Sequence, residues 1–377
     1  FSLEMMNVPF FVPWINDDDK KAVLKTLDQR WLTNGPNLKK FEENFHNFIG
    51  TKYSIGVGSA TQALHLALRT INISKGDEVI VPTFTFAATA NAVLYCGAKP
   101  VFCDVDLDSY NILADEIKKK ISRKTKAVIV VHYGGQACDM EQIKKITKNN
   151  DLHLIEDCAH ACGSTYKNKK CGNIGTMGCF SFYPTKVITT GEGGMISTNN
   201  KKFSEKLRML RSQGLSIQSK DREKKGKWDY DVVDLGYNYR IDEIRSSLGI
   251  SQLKRIEKIN NLRKRIAEKY DKLLKEIEGI SIPKRKSNRD HIFHLYTIKI
   301  EPNYHETRNN LFKKLFDKGI GTAVQYVPLH LMSYYKNYLS KSDLFPNADL
   351  LGKQVLSLPI FPTMTDKQIQ YVVNQLK

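Results

Sequence analysis

Between Gly50 and about residue 200, the apolar positions of this chain switch between two periods. The segment GSATQALHLALRTI opens at Ser59 and places Ala63, Leu64, Ala67, Leu68 and Ile71 on one side, the three-and-four spacing of a helix. EVIVPTF at 78–84 is instead a short β-branched run, the pattern of a strand buried on both faces. The same reading predicts strands at 100–104, 126–132, 152–156, 178–183 and 194–198, with helices over 85–96, 113–121 and 139–149 between them. That rhythm predicts an α/β unit: a mostly parallel sheet with helices on both faces. Upstream, Asp17, Asp18 and Asp19 cap a helix running to Gln29, WLTNGP breaks it, and a second helix follows at 37–49. Beyond Gly236 a long amphipathic helix is expected over 241–277, broken near Lys258. The pattern then changes to strands at 280–283 and 292–300, a helix at 306–318 and a terminal helix. We therefore expect an N-terminal arm and large domain over 1–250 and a small α+β domain over 251–377.

Composition narrows the class. With 41% hydrophobic and 26% charged residues the chain has the make-up of a soluble globular protein. No apolar run approaches the ~18–20 residues that span a bilayer, and no signal-peptide pattern is visible, so no membrane partner is expected. The seven cysteines are an odd number without CxxC spacing. Cys158 and Cys162 bracket His160 but lack the second ligand pair of a structural zinc site, so reduced thiols, a cytoplasmic setting and no metal are expected. A net charge of +18 raises the question of nucleic acid. The lysines, however, are spread over 118–126, 144–148, 201–208 and 254–275, with no helix-turn-helix, zinc finger or RNP-like string beside them. A solvated lysine-rich surface that attracts anionic substrates accounts for this, and a nucleic-acid-binding regulator is the rival of another class.

In an open parallel sheet, ligands bind at the carboxyl ends of strands. Four segments there carry chemistry. GVGSAT at 56–61 puts Ser59, Ala60 and Thr61 at a helix start, where backbone N–H groups cradle a phosphate; the bland alternative is an ordinary Ser/Thr cap. PTFTFAAT supplies Phe86, able to stack on a planar ring or to serve as a plain core aromatic. IEDCAHACG ends a strand with Asp157 and then His160; a carboxylate there can pair with a protonated ring nitrogen, as a pyridinium electron sink requires, or can simply cap a helix. SFYPTKVITTGEGGMIST holds Ser181 and then Lys186 between an aromatic strand and a glycine-rich turn. A lysine desolvated on such a loop loses its proton more readily and suits Schiff-base chemistry; otherwise it is one more surface lysine.

These pieces stand in the order that a pyridoxal-phosphate protein needs. Together with WLTNGPNLKKFE, GAKPVFCDVD, TKAVIVVHYGGQACDM, LGYNYRIDEIRSSLG and VQYVPLH, they make the chain resemble the DegT/DnrJ/EryC1/StrS family of aminotransferases over nearly its whole length. The resemblance implies a fold-type-I large domain with a mostly parallel seven-stranded sheet, and pyridoxal 5'-phosphate as cofactor. It implies that Lys186 would bind the cofactor as a Schiff base and shuttle the proton, and that Asp157 would pair with the pyridinium nitrogen. Phe86 would lie against the ring, His160 beside it near its hydroxyl, and Ala60, Thr61 and Ser181 at the phosphate. Asn238 would reach that phosphate from a neighbouring subunit, giving a homodimer with shared active sites. Tyr183, Arg240 and His330 are the expected substrate contacts; Arg211 and the lysine run 220–227 are further candidates for a diphosphate, with a solvated surface as the alternative. The substrates implied are a nucleotide-linked 4-keto-6-deoxy sugar and glutamate, the product being the 4-amino sugar. ITTGEGG followed by GYNYR resembles enzymes aminating C4 more than the C3 group; a C3-keto sugar or a cyclitol ketone is the alternative. Val187 stands where the family more often has Asn after the lysine.

Overall fold

The computed structural model describes residues 6–216 and 229–377. The lysine-rich run 220–227, a candidate to close over a diphosphate, lies outside the described residues.

The first half builds one sheet. Its strands are β1 (Tyr53–Val57), β2 (Glu78–Pro82), β3 (Lys99–Cys103), β4 (Thr125–Val131) and β5 (His153–Asp157). Two-residue strands β6 (Thr165–Tyr166) and β7 (Lys169–Lys170) form a hairpin outside it, and β8 (Met177–Ser181) and β9 (Gly194–Thr198) complete it. The seven strands run in the order β1-β9-β8-β5-β4-β2-β3. All point the same way except β9, which is antiparallel to both its neighbours. Period-2 alternation sorts the side chains into two cores. Val79, Val81, Ala127, Ile129 and Ile155 pack on one face, and Ile80, Val128, Val130 and Leu154 on the other.

Helices α1 (Asp17–Asp28), α2 (Pro36–Ile49), α3 (Ala60–Thr70), α4 (Ala87–Tyr95), α5 (Ala114–Lys120), α6 (Met140–Asn149) and α7 (Lys201–Arg211) belong to this half. The sequence pattern passed over β1, whose YSIGV is too short to display a period. The long helix expected over 241–277 is two helices, Glu243–Leu253 and Ile256–Leu274, parted at Lys254 and Arg255 rather than near Lys258.

Helix α2 has no side-chain cap of its own. Its first N–H groups, of Gly35, Asn37 and Leu38, donate instead to the fully buried Glu243 carboxylate, 208 residues from Gly35 in sequence, at 2.7–3.1 Å. In the C-terminal part, β10 (Ile280–Ser281), β12 (Tyr296–Ile300) and β13 (Val355–Leu358) form a small sheet, while β11 (Arg289–Asp290) pairs with β6. A third core runs from Ile266 to Leu376 and takes in Val8 of the N-terminal arm. The arm is held there by Val8 N–H to Gly319 O and Gly321 N–H to Val8 O, both 2.8 Å. Leu329, Phe345 and Leu351 of the same C-terminal part pack into the first core, so this region reaches back over the large sheet.

Candidate active site

A cavity of about 580 Å³ opens at the carboxyl ends of β1, β2, β4, β5 and β8. Ser59, Ala60 and Thr61 line it from the start of α3, Thr85 and Phe86 from the turn before α4, and Asp157 and His160 from the end of β5. Ser181, Tyr183, Thr185, Lys186 and Glu192 line it from the β8–β9 connection, and Val324, Gln325 and Tyr326 from the C-terminal part.

Each wall has a local cause. Ser59 caps α3 by accepting the Gln62 N–H at 3.2 Å, which leaves the Ala60 and Thr61 amides at the open, positive end of the helix. Gly194 lets β9 approach this turn: a Cβ there would lie 2.5 Å from Ser59 C and O and 2.8 Å from Ala60 N. Lys186 sits in a loop pinned at its base by Phe182 N–H to Gly193 O and Thr190 N–H to Phe182 O, both 2.9 Å. Burial lowers the Lys186 pKa to about 8, with the opposite charge of Asp157 working against that shift.

Burial raises the Asp157 pKa, opposed by the hydrogen bonds it accepts: Ala159 N–H at 3.1 Å, Thr89 Oγ1 at 3.0 Å, and the attraction of Lys186. Thr85 Oγ1 lies 3.0 Å from Thr89 Oγ1, extending the support. His160 is held well below the usual imidazole range by burial and by Lys186, so its ring is neutral.

The neighbouring Glu156 points to the opposite side of β5. His132 Nε2, Glu156 and Cys171 offer ligand atoms within 4.8 Å of one another, a metal-like trio. The lone pairs are already used: Glu156 receives His132 Nε2 at 3.0 Å and the N–H groups of Gly172, Ile174 and Gly175 at 2.6–2.8 Å, and His132 Nδ1 receives the Cys138 N–H at 3.1 Å. This is a strut that fixes the loop after β7.

The structure therefore brings Ala60, Thr61, Phe86, Asp157, His160, Ser181, Tyr183 and Lys186 to one cavity. It does not bring His330 there. His330 is buried, with Nδ1 2.7 Å from Thr83 Oγ1, Nε2 2.8 Å from Asp349 and its ring on Phe345. That corrects the expected sugar contact, because both ring nitrogens are spent inside the chain. Arg211, a candidate for the diphosphate, is likewise internal: Nη1 donates to Glu42 at 2.7 Å and to Gly56 O at 2.8 Å. Asn238 and Arg240 lie outside this cavity's wall; the Asn238 side chain is exposed and its backbone bridges Ser212. Thr85, Thr89, Glu192 and Tyr326 were missed. Thr85 and Thr89 stand in the same TFTFAAT string as Phe86, and Tyr326 in the same VQYVPLH string as His330.

Residues 13–377 match the model of the DegT/DnrJ/EryC1/StrS aminotransferase family. The chain belongs to this family. It is 37% identical over 374 residues to the spore coat polysaccharide biosynthesis protein SpsC of Bacillus subtilis, covering 98% of this chain and 96% of that one. It is also 37% identical over 374 residues to the GDP-perosamine synthase of Escherichia coli O157:H7, covering 99% and 98%. Among solved structures, Spr1654 of Streptococcus pneumoniae in its PLP form superposes with a TM-score of 0.92 at 30% identity, covering 99% and 98%. As a family member the chain is a pyridoxal-phosphate-dependent aminotransferase of fold type I. The cavity fits that cofactor: an open helix end for an anionic phosphate, an exposed Phe86 face for a ring, a buried carboxylate, and a lysine whose proton burial has loosened.

Proposed function

We propose that this aminotransferase converts a nucleotide-linked 4-keto-6-deoxy sugar to the 4-amino sugar, with glutamate as amino donor. The observation that carries the reading is the lining of the cavity by Glu192 of ITTGEGG, the string that, followed by GYNYR, resembles C4-aminating enzymes. The 37% identity to a GDP-perosamine synthase over almost the full length supports a nucleotide sugar as substrate.

Bound pyridoxal phosphate supplies the electron sink for the carbanion of transamination. In this reading Lys186 would hold the cofactor and move the proton, its lowered pKa suiting it to both tasks. Asp157, held by the Ala159 N–H and the Thr89 hydroxyl, would keep the proton on the ring nitrogen. Phe86 would cover the ring, His160 would stand beside it, and Ala60, Thr61 and Ser181, which line the same cavity, would hold the phosphate.

A homodimer with shared sites completes the reading. Asn238 is exposed, and Arg240 makes no hydrogen bond or ion pair among the described residues. Val232, Val233 and Leu235, just upstream, are exposed apolar side chains that a second subunit would cover. Arg240 is the diphosphate contact. The enzyme acts in the cytoplasm without nucleic-acid or membrane partners; no helix among the described residues is long and apolar enough to cross a membrane.

Incubation with a 4-keto-6-deoxy nucleotide sugar and glutamate, followed by NMR of the product, tests this. An amine at C4 is expected. An amine at C3 overturns the position, turnover of a cyclitol ketone alone overturns the substrate class, and steeply salt-dependent DNA binding by a colourless protein would favour the regulator. Replacing Arg240 by Ala should raise KM for the sugar nucleotide about tenfold or more, with KM for glutamate little changed.

A further inference from the structure

Tyr326 enters the cavity from the C-terminal part, on a segment tied down by the Ala323–Ser357 bridge. Its ring is parallel to that of His160, with centroids 6.0 Å apart at 13°, and lies 6.1 Å from the ring of Phe86. Its hydroxyl is 2.9 Å from His160 Nε2, while His160 Nδ1 accepts the Gly134 N–H at 3.3 Å.

These contacts fix a direction. A neutral imidazole whose Nδ1 accepts a hydrogen bond carries its hydrogen on Nε2. Nε2–H therefore donates to Tyr326 Oη, and the phenol keeps one hydrogen to give. None of the described residues accepts it. Tyr133, 6.2 Å away ring to ring, gives its one hydroxyl hydrogen to Gln325 O and has Thr297 Oγ1 3.1 Å from that hydroxyl oxygen. The charged and titratable groups around the pair are Lys186 and Asp157 on the cavity side and His294, its ring 4.4 Å from that of His160 and tilted by 42°, on the other, with Arg263 beside it. His294 is itself neutral, because burial and the positive charges of Lys186 and Arg263 oppose its protonation.

We infer that Tyr326 is a further residue of the reaction: the last donor of a Gly134–His160–Tyr326 chain, giving its hydroxyl hydrogen to an oxygen acceptor in the cavity. That acceptor is the cofactor's phenolic oxygen or the carbonyl oxygen of the keto substrate. Both are acceptors that gain negative charge, and a neutral donor held by a neutral imidazole meets either without burying a second cation. The inference rests on the cofactor occupying this cavity.

Tyr326→Phe keeps the ring packing and removes only the O–H. With the cofactor bound and no substrate, the pH midpoint of its visible band should rise by about one unit, the size of one hydrogen bond lost from a charged oxygen. The sign follows because a donor favours the deprotonated oxygen, so its loss lets the proton stay to higher pH. That result assigns the acceptor to the cofactor. An unmoved midpoint with kcat/KM for the keto sugar down about tenfold or more, and the glutamate half-reaction intact, assigns it to the substrate. An unmoved midpoint with both half-reactions near wild type overturns the inference. A wild-type protein with no visible band would instead overturn the placing of the cofactor.

Coupling is the second arm. In a His160→Asn background, Tyr326→Phe should add less than about twofold to the loss, whereas fully multiplicative losses would overturn the chain. A measurement on the wild-type apoprotein needs no mutant: ¹⁵N NMR of His160 should report hydrogen on Nε2, and hydrogen on Nδ1 would overturn the direction drawn here.

Discussion

A lysine reacts through its neutral amine, and burial decides at what pH that form appears. Lys186 is held at about 8, whereas a solvated lysine titrates near 10.4. Below the midpoint the ammonium has no lone pair to offer; above it the amine is free. Apoprotein offered pyridoxal phosphate should thus develop its visible band at a rate that climbs with pH through about 8, and a midpoint near 10 would contradict the buried setting. Lys186→Ala should bind the cofactor without a covalent link and lose transamination by about a thousandfold or more, since covalent attachment and proton transfer go together. Near wild-type turnover in that variant would remove Lys186 from the mechanism.

At the scale of elements, the phosphate end of the cavity depends on how closely β9 packs on the first turn of α3. The atoms that a Cβ at Gly194 would meet are backbone, which cannot swing aside as a side chain can. Gly194→Ala should cost about 1–3 kcal/mol from overpacking and weaken cofactor binding about tenfold, because the Ala60 and Thr61 amides are displaced together. Equilibrium unfolding and a cofactor titration check both parts; an unchanged cofactor Kd would show that the turn moves freely. The Glu243 carboxylate at the head of α2 illustrates the same dependence, since one helix is capped by the first residue of another.

The whole molecule is where the dimer proposal is decided. Mixing inactive Lys186→Ala with an inactive Asn238→Ala protein under subunit exchange should recover activity, up to about a quarter of wild type, because one hybrid site regains both groups. A fully active monomer, or no recovery once exchange is demonstrated, would count against shared sites. We propose a division near residue 250 on core packing: Ile266, Tyr296, Leu315 and Leu376 belong to a core of their own, while Leu329, Phe345 and Leu351 pack with the large sheet.

Much of this protein is written locally. The strand and helix periods between Glu78 and Thr198 are visible because each face of the sheet is buried by a helix, which forces apolar residues into regular positions. Lys186, Asp157, Ser181 and Phe86 could be found because they follow strands, and the carboxyl ends of parallel strands converge on one crevice. Other features depend on contacts between distant segments. His330 and Tyr326 lie four residues apart in one irregular string, and no period says which faces the cavity; the positions of Thr83, Asp349 and His160 do. Arg211 reads as a free cation until Glu42 is folded against it, and α2 reads as uncapped until Glu243 arrives from the far end of the domain. Sequence determined the elements and the chemistry at their ends, because both follow from short-range periodicity. Only the tertiary structure decided which polar groups remain free for a ligand, because a hydrogen bond is consumed by whatever backbone or side chain the fold brings beside it.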